Sequence, residues 1–405
     1  MVNRLLFTRI NNNINESAFV LFKSLENVSL SHRYFSNLIE KINNKSNLAS
    51  NLAFARKMSG NQATKSTRPL PVVMKGVQVE KFGDEKELKV KNDINLPIKD
   101  VLDIQRDEIL VKVMSSGINP VDTYIRSGAY ARLPNLPYIP GSDAAGYIEA
   151  IGPEVKSENF SLGSRVFVTG PGKNSGSYAE YIKTNRNYVF SLDERLSFAQ
   201  GACLGVPYFT AYKALILGAG ARKDENILIH GASGAVGSAA VQIANSIGAK
   251  VFGTAGTEEG MEVVTKSGAH RVFNHREEGY EKKMKEETNG EGFDVIIENL
   301  ANVNLERDLQ MMRKNARVMI VGSRGPIEIN PRHLMAPEAS IKGVALGSTT
   351  DNQFQQIGTA ISNGIISGWV KPVIDKEYTL ENAPKAHYDI INSKGAKGNL
   401  VLKIN

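Results

Sequence analysis

Cysteine is nearly absent from this chain: Cys203 is the only one among 405 residues. A lone thiol excludes a disulfide framework and any zinc site built from several cysteines, and it suits a reducing compartment. Long apolar runs are missing too. Ala18 to Phe22, an apolar stretch near the N-terminus, falls far short of the roughly 20 residues that a membrane-spanning helix needs. Acids are scarce in one place only. Before Leu70, ten basic residues face Glu16, Glu26 and Glu40 alone, which accounts for the whole formal net charge of +7. Of the 49 basic and 42 acidic residues in all, 39 of each remain in the body, so bulk attraction to phosphate polymers is not supported there. No Ser-His-Asp or paired-carboxylate constellation stands out.

What is present centres on His230-Gly231-Ala232-Ser233-Gly234-Ala235-Val236-Gly237, between the apolar run Asn226 to Ile229 and the helical pattern Ser238 to Ile247. A strand, a tight turn and a helix start would gather free N–H groups and the positive end of a helix dipole where a pyrophosphate can sit. The Gly-x-x-Gly-x-x-Gly spacing departs by one residue from the usual dinucleotide fingerprint, and alone it equally fits a strand-to-helix turn with no ligand. Its context favours a ligand. Lys250 to Thr254, Asp294 to Ile297 and Arg317 to Val321 are short apolar runs alternating with helical segments, the pattern of a doubly wound parallel sheet. Such sheets bind ligands at the carboxyl ends of their strands.

Residues 1–71 are rich in Asn, Ser and Arg and contain no aspartate, the composition of an organelle transit segment. Arg33-Tyr34-Phe35-Ser36 resembles a mitochondrial processing site, with cleavage expected before Ser36. The expected address is therefore mitochondrial. The alternative is a disordered leader with no address, bypassed by starting at Met58 or Met74, and a cytoplasmic protein. From Met74 the texture changes: Met74 to Glu80 and Glu108 to Val113 alternate as strands do, and Ala144 to Ile151 and Ser164 to Thr169 continue an antiparallel, partly barrel-like unit. Gly205 to Tyr212 begins a helical stretch. The expected division is a mostly β unit over 72–199, a dinucleotide-binding unit over 200–341, and a return to the first unit over 342–405.

Several segments together carry a resemblance. Asn119-Pro120-Val121-Asp122-Thr123-Tyr124-Ile125-Arg126-Ser127-Gly128, Pro140-Gly141-Ser142-Asp143, Val206 to Tyr212, Gly253 to Gly260, Phe273-Asn274-His275-Arg276 and Val321-Gly322-Ser323-Arg324-Gly325 resemble the zeta-crystallin family. These are the zinc-free quinone oxidoreductases of the medium-chain dehydrogenase/reductase superfamily. The likeness runs from Met74 to Asn405, with short insertions near Lys156 to Phe160 and Thr169 to Asn174. It implies an α/β fold: a GroES-like, mostly β catalytic domain with an inserted Rossmann doubly wound sheet that binds NADPH. It implies quinone reduction, typically of ortho-quinones in one-electron steps, and a homo-oligomer, tetramer or dimer. Carried over by position, the cofactor contacts fall on Tyr124, Ser233, Gly234, Ala235, Val236, Gly256, His275, Asn304, Val321, Gly322, Ser323, Arg324, Val344, Ala345 and Leu346. Ala235 stands where the family often has a glycine.

The residues limit the chemistry further. Where zinc-dependent relatives place a catalytic histidine, after Pro140-Gly141, this chain has Ser142, and the early cysteine position falls in Ser116-Gly117-Ile118-Asn119. No catalytic metal is expected, and alcohol dehydrogenation recedes with it. A quinone needs no metal because it is already an electrophile. Tyr124 and Asn119 are the candidate catalytic polar groups, able to donate to a developing oxyanion or to orient the nicotinamide; otherwise Asn119 caps a turn and Tyr124 packs in the core. Glu258 and Glu259 lie near the spacing of a ribose-binding acid, yet they follow Thr257, which looks like a helix cap. With no acid at the end of the second strand, and with His275 and Arg276 nearby, NADPH is permitted. The alternatives are an enone or alkenal reductase and, from a different class, a protein that binds AU-rich mRNA 3′-untranslated regions.

Overall fold

The computed structural model describes residues 64–65, 70–98, 104–155, 160–170 and 175–405. The transit-segment reading and the processing site at Arg33 to Ser36 lie outside the described residues, as does most of the two expected insertions. Among the described residues no helix is long and apolar enough to cross a membrane.

The strand Glu108–Ile118 organises the first half. It pairs antiparallel with Asp143–Ile151, Tyr181–Asn185 and Asn399–Lys403. Serving three neighbours requires it to be long and bent, and its register against Asp143–Ile151 shifts twice, between Leu110 and Val111 and between Val113 and Ser115. Such irregularities curl a sheet toward a barrel. The path continues through Arg165–Val168 and Val189–Ser191 on one side and Ile374–Thr379 on the other, while Val73–Gln78 and Lys89–Asn95 form a separate hairpin. Residues more than 280 positions apart, such as Ser115 and Lys403, thus pair in one sheet, and the segment after the dinucleotide-type unit returns to the first half.

The second half is a six-stranded parallel sheet. Its spatial order is Arg271–Asn274, Lys250–Ala255, Asn226–Ile229, Phe293–Glu298, Met312–Ile320, Ser340–Gly343. Numbered along the chain this is 3-2-1-4-5-6, the doubly wound Rossmann order, whose direction reverses between the first and fourth strands. Its sixth strand runs across the 341/342 boundary expected from the sequence. The central strands are apolar on both faces because helices cover both. Ile227, Ile229, Val295 and Ile297 point to one core, with the helices Val206–Tyr212 and Ala235–Ser246, and Leu228, Phe293 and Ile296 point to the other, beneath Ala301–Leu309.

The helix Asp351–Ser367 starts with a reciprocal Thr350/Gln353 cap and buries Phe354 against Tyr188 and Phe209. Tyr188 also donates its hydroxyl to Asp351 Oδ1 at 2.8 Å. This aromatic cluster ties the two halves together; truncating Phe209, which is fully buried, would cost on the order of 3–5 kcal/mol.

Candidate active site

The glycine-rich turn leaves the first parallel strand at His230. Gly231 takes φ +59°, a left-handed conformation that only glycine adopts without strain, and a Cβ on Gly237 would stand 2.2 Å from the Gly231 carbonyl. These two positions therefore need glycine to let the chain double back. Gly234 caps the helix Ala235–Ser246 with ordinary extended backbone, and a Cβ there would meet nothing closer than 3.5 Å. Its glycine leaves open space at the mouth. The N–H groups of the helix's first turn have no intrahelical partner and face that space.

Apart from Tyr124 and Asn304, the other expected cofactor contacts follow the ends of parallel strands at the same edge. Gly256 closes the second strand beneath His275 and Arg276, whose side chains lie 2.7 and 2.9 Å from where its Cβ would be. Thr257 accepts from the Gly260 N–H at 3.1 Å and caps the helix Glu258–Lys266, so Glu258 and Glu259 are exposed first-turn residues and no acid ends the second strand. Burial and the neighbouring Arg276 hold His275 below the usual imidazole range, so it is neutral at pH 7. After the fifth strand, Val321 and Gly322 donate their N–H groups to the Glu298 carbonyl at 2.8 and 3.2 Å. Ser323 Oγ donates to the Gly325 carbonyl, and the Arg324 N–H donates to Asn302. After the sixth, Val344 donates to the Ile320 carbonyl at 2.8 Å, Leu346 is buried, and the Ala345 carbonyl accepts from Lys213 Nζ at 2.8 Å. Asn304 faces inward: its amide donates to Glu298 and its oxygen accepts from Arg307.

In the first half, Asn119 caps the helix Pro120–Ser127 and donates its backbone N–H to Asp122 at 2.8 Å. Its side-chain amide donates to Asp143 Oδ2 at 2.9 Å. Asp143 also accepts from Thr169 Oγ1 at 2.8 Å and from the Val206 N–H at 2.7 Å. Asn119 is buried, and one of its two amide N–H bonds is committed to Asp143. Burial pushes Asp143 up to about 6 and Asp122 up to about 7. Tyr124 differs. It is half-buried, and its hydroxyl has no hydrogen-bond partner among the described residues, which leaves it available to a ligand. Cys203 is buried, with its thiol directed at the Ala199 carbonyl.

Two features were not foreseen. The segment Gly395-Ala396-Lys397-Gly398 crosses from the C-terminal strand to the turn: Gly398 donates to the Ser233 carbonyl, and Gly395 lies against Thr257. A second glycine pair three residues apart was the available signal. The other is a buried cluster of His230, Glu298 and Asp308 directly under the turn.

A curled GroES-like sheet joined to a Rossmann sheet defines a medium-chain dehydrogenase/reductase, an oxidoreductase. Two family profiles match, an alcohol dehydrogenase GroES-like domain over residues 105–194 and a zinc-binding dehydrogenase over residues 235–363. The human quinone oxidoreductase is 50% identical over 330 residues, covering 82% of this chain and 98% of that protein. On that likeness, the chain belongs to the quinone oxidoreductase family. Among solved structures, a quinone oxidoreductase from Pseudomonas syringae pv. Tomato DC3000 superimposes with TM-score 0.71 at 26% identity, over 82% of this chain and 99% of that one. A mycobacterial protein complexed with NADPH also superimposes with TM-score 0.71, at 23% identity, over 82% of this chain and 99% of that one.

Proposed function

We propose that this protein is a zinc-independent NADPH:quinone oxidoreductase acting on ortho-quinones in one-electron steps. The observation that carries the cofactor assignment is the open glycine cradle at Gly234, at the start of a helix, beside a second strand that ends without an acid. A ribose bearing a 2′-phosphate would meet Arg276, a fixed cation, where a carboxylate would have repelled it. Bound NADPH supplies the reducing equivalents. The chain's own part is to hold it with the first-turn N–H groups and the loops at Val321 to Arg324 and Val344 to Leu346. The Tyr124 hydroxyl would donate to a quinone oxygen as negative charge builds there. Donor chemistry supports zinc independence: Ser142 stands where zinc-dependent relatives have a histidine ligand, and the lone thiol of Cys203 is buried and pushed far above its usual range by that burial.

The test is NADPH oxidation by protein begun at Met74, with quinones and enones compared at equal enzyme concentration and with a chelator present. Turnover of ortho-quinones unaffected by chelation is expected. Preference for enones would reassign the substrate, and loss of activity on chelation would restore the metal. We propose further that the chain is mitochondrial and forms homo-oligomers, a reading supported by the leader's composition and by the exposed edge strand Ser340–Gly343. Import assays and light scattering test these.

A further inference from the structure

Three ionisable side chains, His230, Glu298 and Asp308, are each at least 98% buried, and one ligand atom from each lies within 4.8 Å of the others. His230 ends the first parallel strand and Glu298 ends the fourth, so the cluster sits at the point where the strand order reverses, directly under the expected cofactor floor. Asp308 reaches it from the helix Ala301–Leu309.

Two of the three, His230 and Glu298, are wired to loops of that floor. The His230 imidazole touches Thr254 Oγ1 at 3.3 Å, and the same oxygen accepts from the Gly231 N–H at 3.2 Å. The His230 carbonyl accepts from Asn299 Nδ2 at 2.8 Å. The Glu298 side chain accepts from the Leu300 N–H and from Asn304, while its backbone carbonyl holds Val321 and Gly322.

The charges require a proton. His230 Nε2 lies 2.8 Å from Asp308 Oδ1, an ion-pair contact if the imidazole is protonated. An imidazolium neutralises Asp308, but Glu298 Oε2 and Asp308 Oδ2 are both buried and without partners. A second proton, carried by Glu298, would remove the excess negative charge and supply a donor to the other carboxylate.

We propose that His230, Asp308 and Glu298 are positioning residues that hold the glycine-rich turn and the Glu298 loop in their cofactor-binding arrangement only while Glu298 keeps its proton. This rests on the assignment of the turn as the NADPH site. Burial pushes Glu298 up to about 7, against the lowering influence of His230. For His230, burial alone would act downward, but Asp308 and Glu298 together more than reverse it and the imidazole is raised overall. The other charged or titratable groups that face the cluster act outside the window above neutrality. His275 is lowered, Tyr280 is raised to about 12, and Arg307 is raised and paired with Glu281 at 3.0 Å. The 2′-phosphate of the cofactor titrates near pH 6, below that window.

Loss of the Glu298 proton leaves an uncompensated negative charge under the floor, so affinity should fall as pH rises through the folded value. The experiment is NADPH binding by fluorescence titration from about pH 6.5 to about pH 9, in the natural protein and in Glu298→Gln, whose amide donates permanently. The natural protein is expected to weaken about tenfold over this range, and Glu298→Gln, in which His230 alone can still lose a proton, to weaken markedly less. Equal slopes, or a natural protein that binds equally across the range, would overturn the proposal while leaving the cofactor site intact. A natural protein that binds NADPH at no pH would remove the cofactor site itself. Should Glu298→Gln fail to fold, NMR titration of the His230 ring decides: titration shifted by NADPH supports the proposal, and indifference to NADPH overturns it.

Discussion

Gly398 donates its backbone N–H to the carbonyl of Ser233 across 2.7 Å, joining the start of the C-terminal strand of the GroES-like half to the glycine-rich turn. Gly398 adopts φ +94°, and a Cβ there would stand 2.4 Å from the Val373 carbonyl, so no other residue makes this link without displacing backbone. The two halves are thereby bridged by main chain at Gly234 and Gly398. The glycine-rich turn and the GroES-like half share that hydrogen bond, so the proposed cofactor site would feel any change in it.

At Gly234 the size and the charge of a substitution separate cleanly. A methyl group would meet the Gly231 carbonyl at 3.5 Å and the Ala396 methyl at 3.8 Å, both ordinary contacts. Gly234→Ala is expected to bind NADPH within about threefold of the natural protein, and Gly234→Glu to lose about 10²-fold or more. The glutamate carboxylate would occupy the phosphate's place. Fluorescence titration measures both, and undiminished affinity in the glutamate variant would show that no phosphate sits there.

Tyr124→Phe isolates the hydroxyl. Because that oxygen has no partner among the described residues, its removal should leave the thermal midpoint unchanged. A donor to a developing oxyanion is worth about 10²-fold in turnover, and kcat with an ortho-quinone is expected to drop by about that factor. An unaltered kcat would return Tyr124 to packing.

Asp143 predicts a pH dependence of stability. Its folded value of about 6 lies above its value in the unfolded chain, so the folded state binds the proton more tightly. The associated stability is fully present below about pH 4 and disappears as pH rises through about 6. Asp122, pushed to about 7, extends the decline. Asp143→Asn cannot ionise, and its urea midpoint should fall less steeply between about pH 4 and about pH 7. Its stability should also be lower overall, by about 1–3 kcal/mol, because the three donors at this site lose a carboxylate acceptor. A midpoint that follows the natural protein's slope would remove Asp143 as the titrating group.

Much of the second half was legible because its strands are buried on both faces and stand out as apolar runs, as Asn226 to Ile229 does. Thr257 was readable as a cap because its partner is only three residues away. The strand Arg271–Asn274 and the edge strand Ser340–Gly343 are short and partly exposed, so their alternation is weak. The site's polar supports were opaque for a different reason. Asp143 finds the Val206 N–H 63 positions away, and in a sequence a buried acid is indistinguishable from a solvated one. The same holds for Glu298, which ends an apolar strand, and for Asp308, which sits in a helix with charged neighbours. Asn119 was legible as a turn cap, but its amide's partner was not.

The pairing of Asn399–Lys403 with Glu108–Ile118 also governs how the molecule is made. The parallel sheet is contiguous in the chain and has all six of its strands once Gly343 has left the ribosome. The curled sheet lacks an inner strand until synthesis reaches Lys403. During translation all strands of the nucleotide-type sheet are therefore available first, while the N-terminal strands keep an open edge until the segment that completes them is made.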